Sequence, residues 1–289
     1  MSEAAGASAR RAFALFAGAA FDPTAAGGAV AWQRPNGSAL LLRGGKTEGL
    51  PGTHPALGGS RIAWRDGDRI TIADAATLGR RTRVEAPRAG ALAVSDAALA
   101  WRTRDGVGTD RLWVRSGGEP RLLLESPAPT EIGRPAFAGT ALLCHTAGPQ
   151  GSRLLAIDLA TGAQTLLRTQ SGAQITNPAT DGARLLYVHA TGQVQQLRLG
   201  ALAPADPGAD RVLLVAAPPG QRDGERERGR HRHRQGYRSR RPPLPPRAPR
   251  GVVATLWTTA LSADTAYATR LRALKGAQRA TDIVSVPAS

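Results

Sequence analysis

The strongest constraint on this sequence is a pattern that repeats about every 40 residues. In four copies a proline precedes a glycine by four residues, and an aromatic residue or a cysteine follows that glycine by five. These copies read FDPTAAGGAVAWQ, HPALGGSRIAWR, RPAFAGTALLCHT and NPATDGARLLYVH, and two looser copies end at Trp101 and Trp257. A fixed period of this length indicates a repeat protein, in which each unit packs on its neighbours.

One residue near the end of each copy marks the register of the repeat. The six markers are Trp32, Trp64, Trp101, Cys144, Tyr187 and Trp257, and the steps between them are 32, 37, 43, 43 and 70 residues. The last step contains an insertion, because removing roughly 30 residues restores the period of the other units. We therefore expect the markers to occupy equivalent places in six structural units.

Each unit has the pattern of a small antiparallel sheet. Two apolar runs follow the marker strand, such as DRITIADA and RTRVEAP, and Asp-Gly, Thr-Gly or Gly-Gly pairs between such runs are typical of hairpins. The proline-containing stretch before the marker gives a fourth, short strand, since proline is tolerated at a strand start. Four antiparallel strands in a unit of this length form a propeller blade. The sequence therefore predicts an all-β fold, a six-bladed β-propeller of four-stranded antiparallel blades.

The repeat resembles that of the TolB-like six-bladed β-propellers, also described as WD40-like or PD40 repeats. Their unit reads as proline, a short strand ending in Asp-Gly, a strand ending in an aromatic residue, and a strand of the LYVVD type. NPATDGARLLYVH is similar to the first part, and RLLAIDLATG is similar to the strand after the marker. The resemblance covers about residues 21–286. It implies the fold and, since such relatives are often exported, a location toward the cell envelope.

We expect a single propeller over residues 21–289, preceded by an N-terminal segment over residues 1–20. SARRAFALFAGAA has an arginine pair, a short apolar run and small residues, but the apolar run barely reaches the length of a signal-peptide core. Residues 1–20 are therefore a remnant of a targeting sequence, or they contribute an extra strand at residues 11–17 that helps to close the ring. Residues 281–286 are expected to complete blade six. No run approaches the ~20 apolar residues of a membrane helix.

The insertion is the most basic part of the chain. Residues 218–250 hold 11 Arg against three acidic residues, so their net charge of +8 is half of the formal +16 of the chain. A segment with so few apolar residues cannot bury a core. We expect it to link the outermost strand of blade five to the innermost strand of blade six, on the face around one channel mouth. The residues expected to bind an anionic polymer or partner are Arg222, Arg226, Arg228, Arg230, Arg232, Arg234, Arg238, Arg240 and Arg241.

Three other interpretations of the insertion stay open. His231 and His233 are candidate metal ligands, although two histidines among arginines, with no third ligand, make a poor site. PPLPPR matches the PxxPx[KR] pattern of polyproline ligands, as a proline-rich sequence does by chance. The charge itself fits GC-rich coding, since Lys46 and Lys275 are the lysines among 38 basic residues and the other 36 are Arg.

The sequence lacks the common catalytic motifs. It has no GxSxG, GxxxxGK[ST], GxGxxG, CxxC or HExxH pattern. Cys144 stands at a marker position, so we expect a buried core thiol rather than a nucleophile. Asp22, Asp96 and Asp181 are expected in the turns before the marker strands, where aspartate bonds its own backbone.

Three histidines from different blades leave two alternatives. His54, His145 and His189 either converge on the central channel as a shared site or simply lie at strand ends. We expect a monomeric, non-catalytic scaffold that binds a protein partner or an anionic polymer through one face and uses no cofactor. The alternative is a propeller enzyme, a hydrolase or lyase, with its site at the channel. A cluster of histidines and carboxylates at a channel mouth would favour the enzyme, and a lining of Ala, Gly, Ser and Thr would favour the scaffold.

Overall fold

The chain forms a ring of six antiparallel sheets. A computed structural model describes residues 13–16, 21–216, 254–262, 264–273 and 279–288. Within these ranges the strands pair into six sheets, the blades, and the described helix is a single 3-10 turn at Pro207–Ala209. The prediction of an all-β, six-bladed propeller is confirmed. In this part of the chain no helix is long and apolar enough to cross a membrane.

The first half of the chain builds three blades in order. Strands β1 to β13 span Phe13–Phe16, Phe21–Ala26, Ala29–Gln33, Ala39–Arg43, Lys46–Leu50, Thr53–Gly58, Arg61–Asp66, Arg69–Asp74, Thr82–Glu85, Ala89–Val94, Leu99–Arg104, Asp110–Arg115 and Arg121–Ser126. Blade one contains β2 to β5, blade two contains β6 to β9, and blade three contains β10 to β13. In each blade the first strand is the innermost one and lines the channel.

The second half supplies the remaining blades. Strands β14 to β25 span Glu131–Ile132, Ala136–Ala138, Ala141–Gly148, Gly151–Asp158, Gln164–Gln170, Ala173–Thr180, Arg184–Thr191, Val194–Ala201, Arg211–Ala216, Ala254–Leu261, Thr265–Ala273 and Arg279–Pro287. In blade four, β14 and β15 together form the inner strand, since both pair with β16. Blade five contains β19 to β22, and blade six contains β23 to β25 together with β1.

Blade six is completed by the N-terminal strand. β1 pairs antiparallel with β25, with Phe13 opposite Ser285 and Ala14 opposite Val284. The prediction that residues 281–286 complete this blade is therefore wrong, because β25 is its third strand. β1 lies within residues 11–17, where the sequence predicts an extra strand. Its pairing satisfies backbone groups that a bare β25 edge would expose, and it joins the two ends of the chain by hydrogen bonds.

Five of the six markers lie in the second strand of a blade and are buried there: Trp32, Trp64, Trp101, Cys144 and Tyr187. Trp64, for example, packs in one cluster with Leu41 of the neighbouring blade. Trp257 instead lies in β23, the innermost strand of blade six. Its assignment as an equivalent marker is wrong, because Gly251 and Trp257 only approximate the spacing and the second strand of this blade is β24.

Candidate functional site

The central channel holds two cavities, one at each mouth. Inner strands begin at the polar mouth, whose cavity of about 320 Å³ is lined by residues that include Asp22, His54, Glu131, Arg134, His145 and Asn177. They turn back at the wide mouth, whose cavity of about 750 Å³ is lined by residues that include Gly27, Gly59, Ser95, Gly139 and Gly182. Arg134 lines both cavities and therefore lies between them.

A β-bulge near the start of the inner strand shapes the polar mouth. In blade two, Thr53 pairs with Arg65 and Ala56 with Ala63, so the inner strand holds one residue more than its partner over this stretch. The same surplus of one residue occurs in the other five blades. Bulges of this kind redirect a side chain and are frequent beside functional sites.

Three of these bulges contain a polar residue with positive φ. Asp22, His54 and Asn177 have φ of 53°, 52° and 54°, and each directly precedes a repeat proline. Asp, His and Asn are among the residues that adopt this conformation most readily. The proline that follows lacks an N–H, which costs little inside a bulge. The bulge thus brings three polar residues from three blades to one cavity.

The other three blades place different residues at the equivalent register position. These residues are Gly90 in blade three, Arg134 in blade four and Trp257 in blade six. Trp257 is therefore in register with the residues of the polar mouth and not with the core markers. The side chain of Trp257 lies outside the described part of the structure.

Arg134 crosses the channel. From blade four, its Nη1 donates to the carbonyl oxygen of Pro23 at 3.2 Å and its Nη2 donates to that of Pro55 at 3.1 Å. These carbonyls belong to the bulges of blades one and two. Burial lowers the pKa of the Arg134 guanidinium, and the negative charge of Asp22 acts in the opposite direction. The two hydrogen bonds therefore hold a cation in the channel through neutral oxygens.

His145 is fixed at the wall of the polar cavity. Its Nδ1 accepts a hydrogen bond from the backbone N–H of Asn177 at 3.0 Å, which assigns the proton of the neutral ring to Nε2. Burial, together with the positive charge of nearby Arg102, lowers the pKa of His145 to about 4. The ring packs on Gly133, where an added Cβ would lie 1.6 Å from His145 Cε1. At neutral pH His145 is an uncharged hydrogen-bond donor.

His54 is also neutral near pH 7. Its ring Nδ1 lies 3.0 Å from the hydroxyl of Thr53, and its backbone N–H donates to Gln33 Oε1 at 2.8 Å. Burial lowers the pKa of His54, Asp22 raises it, and the charges of nearby arginines lower it. The two histidines that the cavity brings together are therefore donors or acceptors rather than cations.

The other arginines beside this cavity have carboxylate neighbours. Arg104 forms an ion pair of 2.9 Å with Glu131, and buried Asp110 lies 3.9 Å from Arg102 and 3.8 Å from Arg104. Arg102 also donates to the carbonyl of Ile132 at 2.8 Å. Among the ion pairs of the described residues, none involves Arg134. Arg134 thus differs from Arg102 and Arg104 in forming no ion pair with a carboxylate of the described residues.

The wide mouth is formed by hairpin turns and small side chains. Asp181 accepts from the backbone N–H groups of Ala183 and Arg184 at 3.1 and 2.8 Å, so it bonds its own turn as the sequence predicts. Asp96 instead accepts from the backbone N–H and the hydroxyl of Ser60 in blade two, both at 2.7 Å. Asp96 does lie in the predicted turn between β10 and β11. The prediction that it bonds its own backbone is wrong, because this turn packs against the turn of the neighbouring blade.

The prediction for Asp22 is also wrong. Asp22 lies in the bulge of β2, at the opposite end of the inner strand from the hairpin turn. The cause is the surplus residue of the bulge, which the alternation of apolar residues does not reveal. Asp22 consequently lines the polar cavity.

Comparison with known proteins gives structural matches alone. No family model and no curated protein matches the sequence. Acylaminoacyl peptidase from Pyrococcus horikoshii superposes with a TM-score of 0.52 at 12% identity, over 88% of this chain and 43% of that one. TolB from Acinetobacter baumannii gives 0.51 at 11% identity, over 87% and 60%. The β-propeller domain of the Trilobed protease from Pyrococcus furiosus gives 0.50 at 12% identity, over 94% and 82%.

The fold is a TolB-like six-bladed β-propeller. The resemblance found in the repeat is thereby confirmed. This TolB-like propeller spans less than half the length of the acylaminoacyl peptidase that it matches. The Trilobed protease domain is described as having an open velcro topology, whereas here β1 pairs with β25.

Several predicted site residues lie away from the polar cavity of the TolB-like propeller. The Nε2 atom of His189 lies 2.6 Å from Gln170 Oε1, and His189 does not line the polar cavity. Cys144 is buried in the core, and burial raises the pKa of its thiol to about 12. The candidates in the insertion, from Arg222 to Arg241 with His231 and His233, lie outside the described residues. The described ranges contain no group of three or more His, Cys, Asp or Glu that could hold a metal ion.

The sequence reasoning overlooked most of the polar mouth. It singled out neither Arg134 nor Asn177 and interpreted Asp22 as a turn residue. A signal was present, because the residue before four of the repeat prolines is polar in every case: Asp22, His54, Arg134 and Asn177. A position that is polar in all four of these copies, yet carries a different residue in each, indicates a surface that does more than pack.

Proposed function

We propose that this TolB-like propeller is a non-catalytic binding module that takes an acidic segment of a protein partner on the face around the polar mouth. The observation that carries this proposal is the cation Arg134, which forms no ion pair within the described residues and is held in the channel by the carbonyls of Pro23 and Pro55. A charge removed from bulk water is costly unless an opposite charge compensates it. An acidic side chain that enters the cavity would supply that charge.

The chain topology supports the choice of this face. Inner strands begin at the polar mouth, and β23 is the inner strand of blade six. β22 ends at Ala216 and β23 begins at Ala254, and both of these residues therefore lie on the side of the polar mouth. Residues 217–253 join them in the sequence. This connection includes the basic residues 218–250, whose net charge is +8. In the proposal these arginines attract the acidic partner toward the mouth.

An acidic protein fits these features better than a nucleic acid does. Binding of single-stranded nucleic acid uses aromatic side chains on which bases stack. Residues 218–250 contain one aromatic residue, Tyr237, and aromatic residues are 4% of the whole chain. Nucleic acid is therefore a control in the experiment below.

The enzyme alternative has one observation in its favour. His54, His145, Asp22 and Glu131 line the same cavity, which is the convergence of histidines and carboxylates expected of a catalytic site. Two of these groups are already engaged, since Glu131 pairs with Arg104 and His145 Nδ1 accepts from Asn177. The wide mouth, rich in Ala and Gly, has the lining expected of a scaffold. Mass spectrometry of acidic peptides and polysaccharides after incubation distinguishes the two, because only an enzyme would release cleaved products.

The proposed function is tested by a salt titration of binding to polyglutamate. The full chain is compared with a variant in which a short Gly-Ser link replaces residues 218–250, and duplex DNA serves as the second probe. We expect polyglutamate affinity to fall steeply with salt, and the deletion to remove most of that slope. Loop entropy depends weakly on length, so the deletion should change the free energy of unfolding by no more than about 1–2 kcal/mol.

Three outcomes would contradict the proposal. Absence of polyglutamate binding at low salt would contradict the proposal of an acidic protein partner. Tighter binding to DNA than to polyglutamate of similar length would favour nucleic acid. Equal salt slopes for the two forms would assign the attraction to scattered surface arginines and leave residues 218–250 without a role.

A further inference from the structure

We propose that Arg134 forms a carboxylate-binding subsite in the cavity of the polar mouth. The bound carboxylate belongs either to a free organic acid or to an acidic residue of a partner, and the chemistry of recognition is the same. The subsite rests on the proposed function in one respect, since it lies on the face proposed to bind the partner.

Within the described residues, Arg134 has donor groups left over for a ligand. A guanidinium has five N–H groups, and the carbonyls of Pro23 and Pro55 take two hydrogen bonds. Arg104, which belongs to the same cluster of charges, is compensated by Glu131 at 2.9 Å. Arg134 therefore retains part of its hydrogen-bonding capacity for a ligand.

The guanidinium of Arg134 matches the geometry of a carboxylate. A planar guanidinium binds a carboxylate through two parallel hydrogen bonds, which makes the pair both strong and directional. Because the two carbonyls come from different blades, they fix the plane of the Arg134 side chain before any ligand binds. Preorganised donors of this kind lose little entropy on binding.

The cavity around Arg134 contains a second hydrogen-bond donor. His145 offers a neutral Nε2–H, because its Nδ1 accepts from Asn177. The volume of about 320 Å³ is suited to a small ligand or a single side chain. The cavity therefore combines the cation of Arg134 with an uncharged donor, which suits a singly charged acid. The second arginine that lines it, Arg102, has the Asp110 carboxylate at 3.9 Å.

Asp22 gives the subsite its selectivity. It precedes Pro23, whose carbonyl accepts from Arg134, and its charge acts on both Arg134 and His54. A second negative charge on the ligand would meet repulsion from Asp22 and from Glu131, which also lines the cavity. The subsite should therefore prefer a monocarboxylate to a dianionic phosphate.

The experiment is an NMR titration of the full chain with four probes. Propionate tests a free acid, a blocked Glu-Ala-Glu-Ala peptide tests an acidic residue, inorganic phosphate tests selectivity, and polyglutamate repeats the test of the proposed function. We expect Arg134→Gln to weaken propionate and peptide binding at least tenfold. Asp22→Asn should strengthen both by about two- to fivefold, since it removes a repelling charge while asparagine still tolerates the positive φ.

Arg69→Gln is the matched control. Arg69 is an exposed residue paired with Glu85 on the outer side of blade two, so its loss changes the net charge by the same amount. We expect no change in binding of propionate or peptide in this variant. Equal weakening by Arg69→Gln and Arg134→Gln would reduce the subsite to an effect of net charge and would overturn it.

Asp22→Asn keeps the test decisive if Arg134→Gln fails to fold. Weaker binding in Asp22→Asn, or tighter binding of phosphate than of propionate by the native chain, would overturn the subsite. Polyglutamate binding that is indifferent to Arg134→Gln would remove the subsite and leave the proposed function intact. Propionate binding that depends on Arg134, without binding of polyglutamate, would support the subsite and contradict the acidic partner.

Discussion

The two mouths of the channel are ends of the same inner strands, but they follow opposite rules. At the wide mouth, four blades have glycine at the same step of the repeat: Gly27, Gly59, Gly139 and Gly182. At the polar mouth, the bulge position carries a different residue in each of the six blades. The wide mouth is thus the repeated end of the blade, and the polar mouth is the end where the blades differ.

This difference separates folding from recognition. The hairpin turns need a residue with positive φ, so glycine recurs there, and four of them have φ from +55° to +96°. The bulge needs only a residue that tolerates its backbone, so Asp, His and Asn can each occupy it. Variation at one end of a fixed scaffold lets the protein assemble an asymmetric site on a nearly symmetric ring.

The largest effect is expected in the core between two blades, away from both mouths. Trp64 is buried between blades one and two. Its replacement by alanine should cost on the order of 3–5 kcal/mol of unfolding free energy, because a large cavity is left behind. A urea melt of Trp64→Ala measures this cost. A loss below about 1 kcal/mol would show that the packing between these blades does not depend on the marker.

The polar mouth should control stability in mild acid. The pKa of His145 is about 4 in the folded protein against 6.5 for an ordinary histidine. Between these values the unfolded chain binds a proton that the folded chain does not, so stability falls as the pH decreases through this window. We expect this histidine to account for a loss of about 2–3 kcal/mol between pH 7 and 4.5.

Urea melts of the native chain and of His145→Gln at both pH values measure this contribution. The variant should lose less stability on acidification than the native chain does. An NMR titration of the His145 ring provides the second readout. A ring that titrates near pH 6.5 in the folded protein would contradict the buried, neutral state.

A matched pair of glycine substitutions compares the two ends directly. At the polar mouth, a Cβ on Gly133 would collide with the His145 ring, whereas at the wide mouth a Cβ on Gly139 would meet nothing within 4 Å. We expect Gly133→Ala to cost about 2–3 kcal/mol through overpacking. Gly139→Ala should cost about 1 kcal/mol, since it bears only the strain of a positive φ. Equal costs in urea melts would mean that the His145 ring moves aside without penalty.

The smallest effect is expected at the wide mouth, at Asp96. Hydrogen bonds from the backbone N–H and then the hydroxyl of Ser60 lower the pKa of this carboxyl. Because this pKa is lower in the folded protein than the ordinary value near 4, the ionised carboxylate stabilises the fold at pH values above 4. This stabilisation is lost as the pH falls through the pKa of the folded protein. Asp96→Asn should therefore cost under about 1 kcal/mol at pH 7, and the difference from the native chain should shrink below pH 4. If the stability difference between Asp96→Asn and the native chain already changes between pH 6.5 and 5, the two mouths do not respond to separate pH ranges.

The ring and its blades could be predicted from the sequence because their determinants are local and repeated. The spacing of proline, glycine and an aromatic residue recurs in each of four blades, and the apolar runs between them give the strands. Trp257 shows where this reasoning fails. Its unit follows the insertion and has Thr258 where four other inner strands carry the repeat proline, so a tryptophan of the inner strand was matched to the markers of the second strand.

The polar mouth could not be predicted because it depends on contacts between distant blades. Arg134 meets carbonyls that lie 111 and 79 residues away in the chain, and Asn177 meets His145 across 32 residues. A one-residue bulge then decides which side chains face the cavity. The choice of polar residues before the repeat prolines was visible, but their convergence requires the closed ring.

Hydrogen–deuterium exchange of the full chain with saturating polyglutamate reports which mouth the partner covers. We expect slower exchange at backbone amides that begin the inner strands, such as those of Asp22, His54 and Asn177. Amides of the hairpin turns, such as those of Gly28, Gly59 and Gly182, should exchange at the rates of the unbound protein. Protection at the hairpin turns, with unchanged exchange at the starts of the inner strands, would contradict the assignment of the polar mouth as the binding face.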